Sequence, residues 1–517
     1  MNNFISKAGL NFSQKRQASF AGTWYEADST KLRAQICSFL ANAQAAMLKK
    51  PIEPGFNHNF EPGSPVLAIV SPHAGYMFSG STAAFAYEQA KRQKPKRIFL
   101  MGPSHYVGFD GAVLPTETLF ATPLGDLSVD KDVVEELSDF PLFRKSSQVH
   151  TREHSLEMQL PFIRETFGDV KIVPIIIGSL PDEMDVQLMG QILRRYLRSG
   201  DLIVVSSDFT HYGPRYEYEP FLSDWKENVR KLDSEAFEHL SRRDLTGFVD
   251  FKERTGDTIC GFYPCAVLAA LLPEDCHGSL LRYGSSQDAL VEDDNNSVSY
   301  LALAFSSASK RGWEEVPEIA SEEPLSETDK TNLLKLARLT LEQTVKTGVP
   351  PSQDETRFAV SDLTSKKMGA FVTLYRIDPL EPAHKELRGC IGYIWPVKPL
   401  FQTVMDNTIG SSSRDYRFQP VLESELKDLE IDINVLTAPR RIKNYNQIVV
   451  GRDGVVMYKD GRQSVFLPSV AVEFGWDLPE LLTQLSLKAG LAGDAWKHGA
   501  RFDVFQSQSI SEARADI

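Results

Sequence analysis

Four short segments of the chain are apolar at nearly every position: 66–70 (VLAIV), 98–101 (IFLM), 172–177 (IVPIII) and 202–205 (LIVV). A strand with one wet face alternates between apolar and polar residues. Strands that do not alternate belong in a sheet covered on both sides. Helical patterns fall between these runs, for example over 81–92 and 183–198. This succession of strand and helix predicts an α/β N-terminal domain, a parallel or mixed sheet flanked by helices.

The pattern stops near residue 305. Residues 306–330 read SSASKRGWEEVPEIASEEPLSETDK, acidic and proline-containing, with little apolar periodicity. Such a stretch is too polar to bury a core and repels itself enough to stay extended. With 517 residues to distribute, the chain is expected to form a domain over 1–305, a linker over 306–327 and a second domain over 328–517. Ser326 is a good N-cap ahead of Leu333, Leu336, Ala337 and Leu341, which share one helix face. Strand signals follow at 370–375 and 431–436, and the Asp460-Gly461 turn between 455–458 and 463–467 signals a hairpin. A late helix is expected over 479–489. The second domain therefore reads as α+β, with antiparallel pairing.

Lys and Arg number 56 against 69 Asp and Glu, a net charge of −13, and no basic patch interrupts the acidity. Such a chain repels phosphate backbones, so no nucleic-acid partner is expected. No apolar run approaches a membrane span and the first residues, MNNFISKAGLNFSQKRQ, contain no apolar signal core, so no membrane association and a cytoplasmic location are expected. Five cysteines, at 37, 260, 265, 276 and 390, make no disulfide framework and no zinc-ribbon pairing.

Three of the buried runs end alike. The first leads into Ser71-Pro72-His73, the second into Gly102-Pro103-Ser104-His105, and the fourth into Ser206-Ser207-Asp208-Phe209-Thr210-His211. Each delivers a histidine just past the carboxyl end of a strand, the edge at which open α/β sheets bind ligands. Neutral imidazole is the commonest metal ligand, so histidines converging on one edge point to a metal site. Cys260, between turn residues and an apolar helix, is either a further ligand or a packed thiol. His154 and Glu157 lie three apart on one helix turn. They either support the site from behind or form a solvated face.

The segments AGTWY (21–25), SPHAGYMFSG (71–80), GPSHY (102–106), EHSLEMQLPF (153–162), VVSSDFTHYG (204–213), DTICG (257–261) and NSVSY (296–300) resemble, in order, the Memo family. Memo proteins are similar in fold to class III extradiol dioxygenases, where two histidines and a glutamate hold a non-haem iron. A cysteine takes the carboxylate position in Memo. The resemblance implies that His73, His105 and Cys260 are metal ligands. It places Asp208 and His211 in the same pocket, with His211 at the position of the dioxygenase acid/base. The implied metal is divalent, Fe(II) first, while a softer thiolate also suits Cu or Zn.

GAFVTL (369–374), LRGCIG (387–392), RDYRFQP (414–420), LPSVAVEFGW (467–476) and KAGLAGDAW (488–496) are similar to the AMMECR family, from which Tyr416 and Gln419 are minor departures. Arg388 and Cys390 in this signature are either a small binding or catalytic site or packing residues. The pairing of modules resembles the AmmeMemoRadiSam system, which implies a radical-SAM enzyme as partner. This chain has no C-x3-C-x2-C motif of its own. The functional expectation is a metal-dependent, dioxygenase-like oxidoreductase acting on a small molecule. The alternatives are a non-enzymatic metal-binding or redox scaffold and a zinc hydrolase.

Overall fold

The computed structural model describes residues 15–49, 64–289, 295–308, 312–313, 324–377 and 385–512. The chain forms two compact units, Met1–Val316 and Pro317–Ile517.

At the centre of the first unit are the four apolar runs, now β1 (Val66–Ser71), β2 (Arg97–Pro103), β3 (Lys171–Ile177) and β4 (Asp201–Ser206). They lie in the order β1-β4-β2-β3, all parallel. The long strand β5 (Ser297–Ser307) runs antiparallel beside β1, and Cys276–Ser285 pairs antiparallel with β5 in turn. On the far side, Ala112–Leu114 pairs antiparallel with β3. The sheet is therefore mixed, parallel at its centre and antiparallel towards its edges. Every residue of β1, β4 and β5 is buried, as non-alternating sequence requires. Helices α1 (Tyr76–Ala90), α2 (His154–Glu157), α3 (Trp225–Ser241) and α4 (Phe262–Leu271) pack around it. α4 is apolar all round and almost wholly buried.

The acidic stretch is partly structured. Ser306 and Ser307 are the last residues of β5, and Trp313, 2% exposed, donates its indole N–H to the Asp201 carbonyl at 3.0 Å. A large aromatic with a partner for its N–H outweighs the polarity of its neighbours, so this unit extends past 305. Positions 309–311 and 314–323 of that stretch lie outside the described residues.

In the second unit Ser326 caps the helix Glu327–Thr347, its hydroxyl accepting from Asp329 N–H at 3.0 Å. That helix and Leu400–Ser413 cover one face of an antiparallel sheet. Its strands are β6 (Gly369–Ile377), β7 (Lys385–Tyr393), β8 (Leu429–Leu436) and β9 (Ser507–Ser511), in the order β7-β6-β8-β9. A second four-stranded sheet contains the expected hairpin, Gly454–Lys459 with Arg462–Phe466, and the helix Leu478–Lys488 packs on it. Asp460 and Gly461 both have positive φ, 51° and 71°, the left-handed geometry that an Asp-Gly turn supplies. This unit is α+β. Among the described residues no helix is long and apolar enough to cross a membrane.

Candidate metal centre

β1, β2 and β4 bring His73, His105 and His211 to one edge of the sheet, and the turn before α4 brings Cys260. One ligand atom each from His73, His105 and Cys260 lies within 4.8 Å of the others. His73 Nε2 is 3.2 Å from Cys260 Sγ. The His73 and His105 rings meet edge to face, their centroids 5.1 Å apart.

The neighbours of each imidazole fix its tautomer. The hydroxyl of Ser206 spends its one proton on the Ser155 carbonyl at 2.6 Å and accepts from Gln159 at 2.9 Å. His73 Nδ1, 3.0 Å from the same oxygen, must therefore be the donor. Glu153 accepts twice from His105, from Nδ1 at 2.8 Å and from the backbone N–H at 2.7 Å. His211 Nδ1 donates to the Phe209 carbonyl at 2.8 Å. All three rings carry the proton on Nδ1 and leave the Nε2 lone pair free. Metal-binding histidines are held in this way by their surroundings.

Burial keeps His73, His154 and His211 neutral. It pushes His73 well below its ordinary value, helped by His105, His154 and His211, and it lowers His154 and His211 each to about 4. The Asp208 carboxyl, buried and accepting from the backbone N–H of His73 at 2.8 Å, is raised to about 7. Burial, with Asp208 beside it, also pushes the Cys260 thiol well up. The sulfur accepts from the Asp208 N–H at 3.2 Å.

The cavity in front of these groups has a volume of about 600 Å³. Trp24, Phe78, Tyr216 and Tyr300 give it apolar walls, and Asp208, His211, Arg215 and Asn296 place polar groups in it. His154 also lines it, wedged between Trp24 (ring centroids 4.4 Å apart) and His105 (4.2 Å, stacked). Glu157 is fully buried but faces away. Its carboxylate accepts from Arg16 Nη1 at 2.6 Å, Phe20 N–H at 2.7 Å, Tyr25 O–H at 2.8 Å and Ser19 N–H at 3.0 Å. Glu157 thus ties down the 16–25 segment that sets Trp24 against His154. Neither residue belongs to a solvated face.

Sequence reasoning passed over Glu153, Ser206 and Gln159. The available signal for Glu153 was local: a carboxylate directly before a helical turn, where it caps Ser155 N–H at 2.9 Å. His105, Glu153 and His154 also form a group whose atoms lie within 4.8 Å of one another. Glu153 there is already committed to donors, so the His73–His105–Cys260 group is the better cation site.

In the second unit Arg388 is held by Glu425 through two bonds, Nε to Oε1 at 2.9 Å and Nη2 to Oε2 at 3.0 Å. Cys390 is partly buried and accepts the Thr373 hydroxyl at 3.2 Å, while its N–H donates to Asp415 at 2.9 Å. The Arg388 guanidinium and the Cys390 thiol are engaged with different partners.

The family model described as Memo-like protein matches residues 16–304, more than half of the chain. The chain belongs to the Memo-like family. A second family model, AMMECR1, matches residues 334–510. Protein MEMO1 of Xenopus laevis is 34% identical over 310 residues, covering 57% of this chain and 98% of that protein. Human MEMO1 is 33% identical over 305 residues, 56% of this chain and 97% of that one. An uncharacterized protein of Pyrococcus horikoshii, known from a crystal structure, is 36% identical with a TM-score of 0.32, covering 35% of this chain and 89% of its own. This chain thus joins a Memo-like unit to an AMMECR1 unit, and the Memo-like unit contains the His/Cys group suited to a metal ion.

Proposed function

We propose that the Memo-like unit binds a divalent metal ion through His73 Nε2, His105 Nε2 and Cys260 Sγ and serves a dioxygenase-like oxidation of a small molecule. The observation that carries this reading is the set of anchored Nδ1 protons. Ser206 and Glu153 orient two imidazoles so that their lone pairs meet the thiol at one point. Two histidines and an anionic ligand leave coordination positions open, and the favoured ion is Fe(II); the thiolate makes Cu or Zn the competitors. When bound, such an ion supplies Lewis-acid and one-electron chemistry.

The chain's own residues do the rest. Trp24 and Tyr216 give a planar substrate two aromatic walls. Asn296 and Arg215 offer polar contacts at the cavity. His211, neutral and with a free Nε2, takes a proton from the bound molecule, and Asp208 orients the substrate or that proton. The AMMECR1 unit is fused to this unit in the same chain, and by resemblance a radical-SAM enzyme is the partner, in the cytoplasm.

Metal content of the full chain, purified untagged and anaerobically, tests the ligand set. His73→Ala, His105→Ala and Cys260→Ala should each abolish stoichiometric metal while His211→Ala retains most of it. Full occupancy in His105→Ala would remove the claim. Iron supports the oxidoreductase reading, and zinc or copper in its place counts against it. With a substrate in hand, His211→Ala should lower turnover by roughly 10²–10⁴-fold.

A further inference from the structure

Behind the loop that carries Asp208 and His211 lie two carboxylates without any access to water. Asp233 on α3 and Asp257 in the turn ahead of Cys260 are both 0% exposed, as is Thr210 between them. The single hydroxyl of Thr210 is 2.7 Å from Asp233 Oδ1 and 2.8 Å from Asp257 Oδ2. A hydroxyl has one proton to donate. Two ionised carboxylates cannot both be its acceptors, and a buried unpaired carboxylate oxygen at 2.8 Å would simply repel it. One of the two oxygens must carry a proton and donate it to Thr210 Oγ1.

The other contacts say which. Asp233 is surrounded by donors: Thr210 N–H reaches Oδ1 at 3.2 Å and Tyr283 O–H reaches Oδ2 at 2.8 Å. Asp257 Oδ1 accepts from Ile259 N–H at 2.9 Å, while its Oδ2 meets the Thr210 hydroxyl. The consistent chain runs from Asp257 Oδ2–H to Thr210 Oγ1 and from Thr210 O–H to Asp233 Oδ1. Burial, helped by Asp233, raises the Asp257 carboxyl to about 6, and burial raises Asp233 too. The charged groups facing the pair are few. Lys252 donates to the Asp257 main-chain carbonyl, Arg230 lies over the Tyr283 ring at 4.7 Å, and Tyr218 O–H donates to the Thr255 carbonyl at 3.1 Å.

We propose that Asp233 and Asp257 hold one proton between them, seated on Asp257 Oδ2, and that this pair positions Asp208 and His211. Thr210 lies between those two residues in sequence. Thr258, next to Asp257, fixes the His211 backbone from the other side, accepting from its N–H and donating to its carbonyl, both at 2.8 Å. Asp233 and Asp257 are positioning residues and touch no substrate. The positioning part rests on the role given above to His211, whereas the proton count stands without it.

The arrangement predicts an asymmetry. Asp257→Asn can mimic the protonated acid, its amide N–H donating to Thr210 and its oxygen accepting from Ile259. Asp233→Asn fits less well, because its NH₂ would face either Thr210, whose oxygen already accepts from Asp257, or Tyr283, whose hydroxyl would then have to turn and donate to Ser299 at 3.1 Å. The test uses the full chain at about pH 6. Because the raised Asp208 carboxyl would add a band of its own, infrared spectroscopy is run in an Asp208→Asn background, which should show the C=O stretch of a protonated buried carboxyl that Asp257→Asn then removes. Asp257→Asn should leave the melting transition of the Memo-like unit within about 2 °C, and Asp233→Asn should lower it by roughly 5 °C or more. The ¹⁵N shifts of His211 should report the Nδ1–H tautomer in the wild type and Asp257→Asn, and a tautomer mixture in Asp233→Asn. No carboxyl band in the Asp208→Asn background, or Asp233→Asn tolerated as well as Asp257→Asn, would overturn the proposal. If neither Asp257→Asn nor Asp233→Asn folds, the band of the Asp208→Asn protein and its loss on titration to higher pH decide the matter alone. That band, together with a wild type that binds no metal, would refute the functional reading and leave the shared proton standing.

Discussion

Glu153 contributes nothing to the ligand set, yet it accepts both N–H groups that His105 can offer it. The hydrogen bonds from His105 outweigh the burial that would raise its carboxyl, and hold it below the ordinary value. Glu153→Gln puts an amide N–H where one of these acceptors stood and frees the His105 ring to turn. Metal affinity, read by competition with a chelator, should fall by about 10–100-fold, the usual worth of a residue that orients a ligand. An unchanged affinity would mean that His105 is held by packing against His154 and His73 alone. Cys260 supports a second expectation. Its thiol is pushed up and stays protonated until a cation displaces the proton. Calorimetry in buffers of different ionisation enthalpy should find about one proton released per metal, and affinity should rise with pH. Cys260→Ser should bind weakly and release less.

At the scale of elements, β7 is an edge strand of its sheet and is held by a loop as well as by β6. Asp415 accepts from Cys390 N–H and Glu425 grips Arg388. Pairing with Arg417 and Arg388 holds both carboxyls down at about 2. The unfolded chain protonates them near their ordinary values of about 4. Their contribution is therefore complete above about pH 4.5 and is lost as pH falls towards 2. The second unit should lose thermal stability across that window. Glu425→Gln should flatten the loss and also lower stability at neutral pH, since it breaks one half of a largely buried pair. A helix also presses close on this strand: a Cβ at Gly389 would stand 2.1 Å from the Ser411 carbonyl oxygen. Gly389→Ala should therefore cost the second unit about 1–3 kcal/mol in denaturant unfolding. Elements of this kind were legible in the sequence to unequal degrees. Continuous apolar runs announced β1 to β4, and Asp460-Gly461 announced its hairpin, because those signals are local. Residues 300–305 of β5 (YLALAF) are an equally continuous apolar run that the strand reading passed over, whereas its antiparallel partner Cys276–Ser285 carried no comparable sign. The hold of Glu157 on Arg16 joins residues 141 apart, a contact that depends on tertiary folding. The strand-end histidines were readable because strand ends are local. Glu153 was readable only as a helix cap, and Ser206 and Gln159 not at all, because what all three do at the site depends on where β2, β4 and α2 come to lie.

For the whole molecule the question is whether the two units depend on each other. Trp313 is anchored to the first unit, and Leu325, 3% exposed, is part of the core of the second. A cut that spares both must fall within 314–323, an acidic stretch with little to bury. Each unit has its own apolar core and its own closed set of sheet pairings, the conditions under which a domain folds alone. All proposed metal ligands precede residue 305, whereas the second unit offers only His384, Cys390 and His498 as soft donors. Cleavage between 314 and 323, by limited proteolysis or at an engineered site, should therefore release two fragments. Each should melt in one cooperative transition close to that seen in the intact chain. Metal analysis after separation should find the ion with the N-terminal fragment at the affinity of the full protein. Loss of the ion from that fragment, with its fold intact by circular dichroism, would show that the Memo-like centre needs the AMMECR1 unit to be complete, and the two modules would then have to be treated as one functional body.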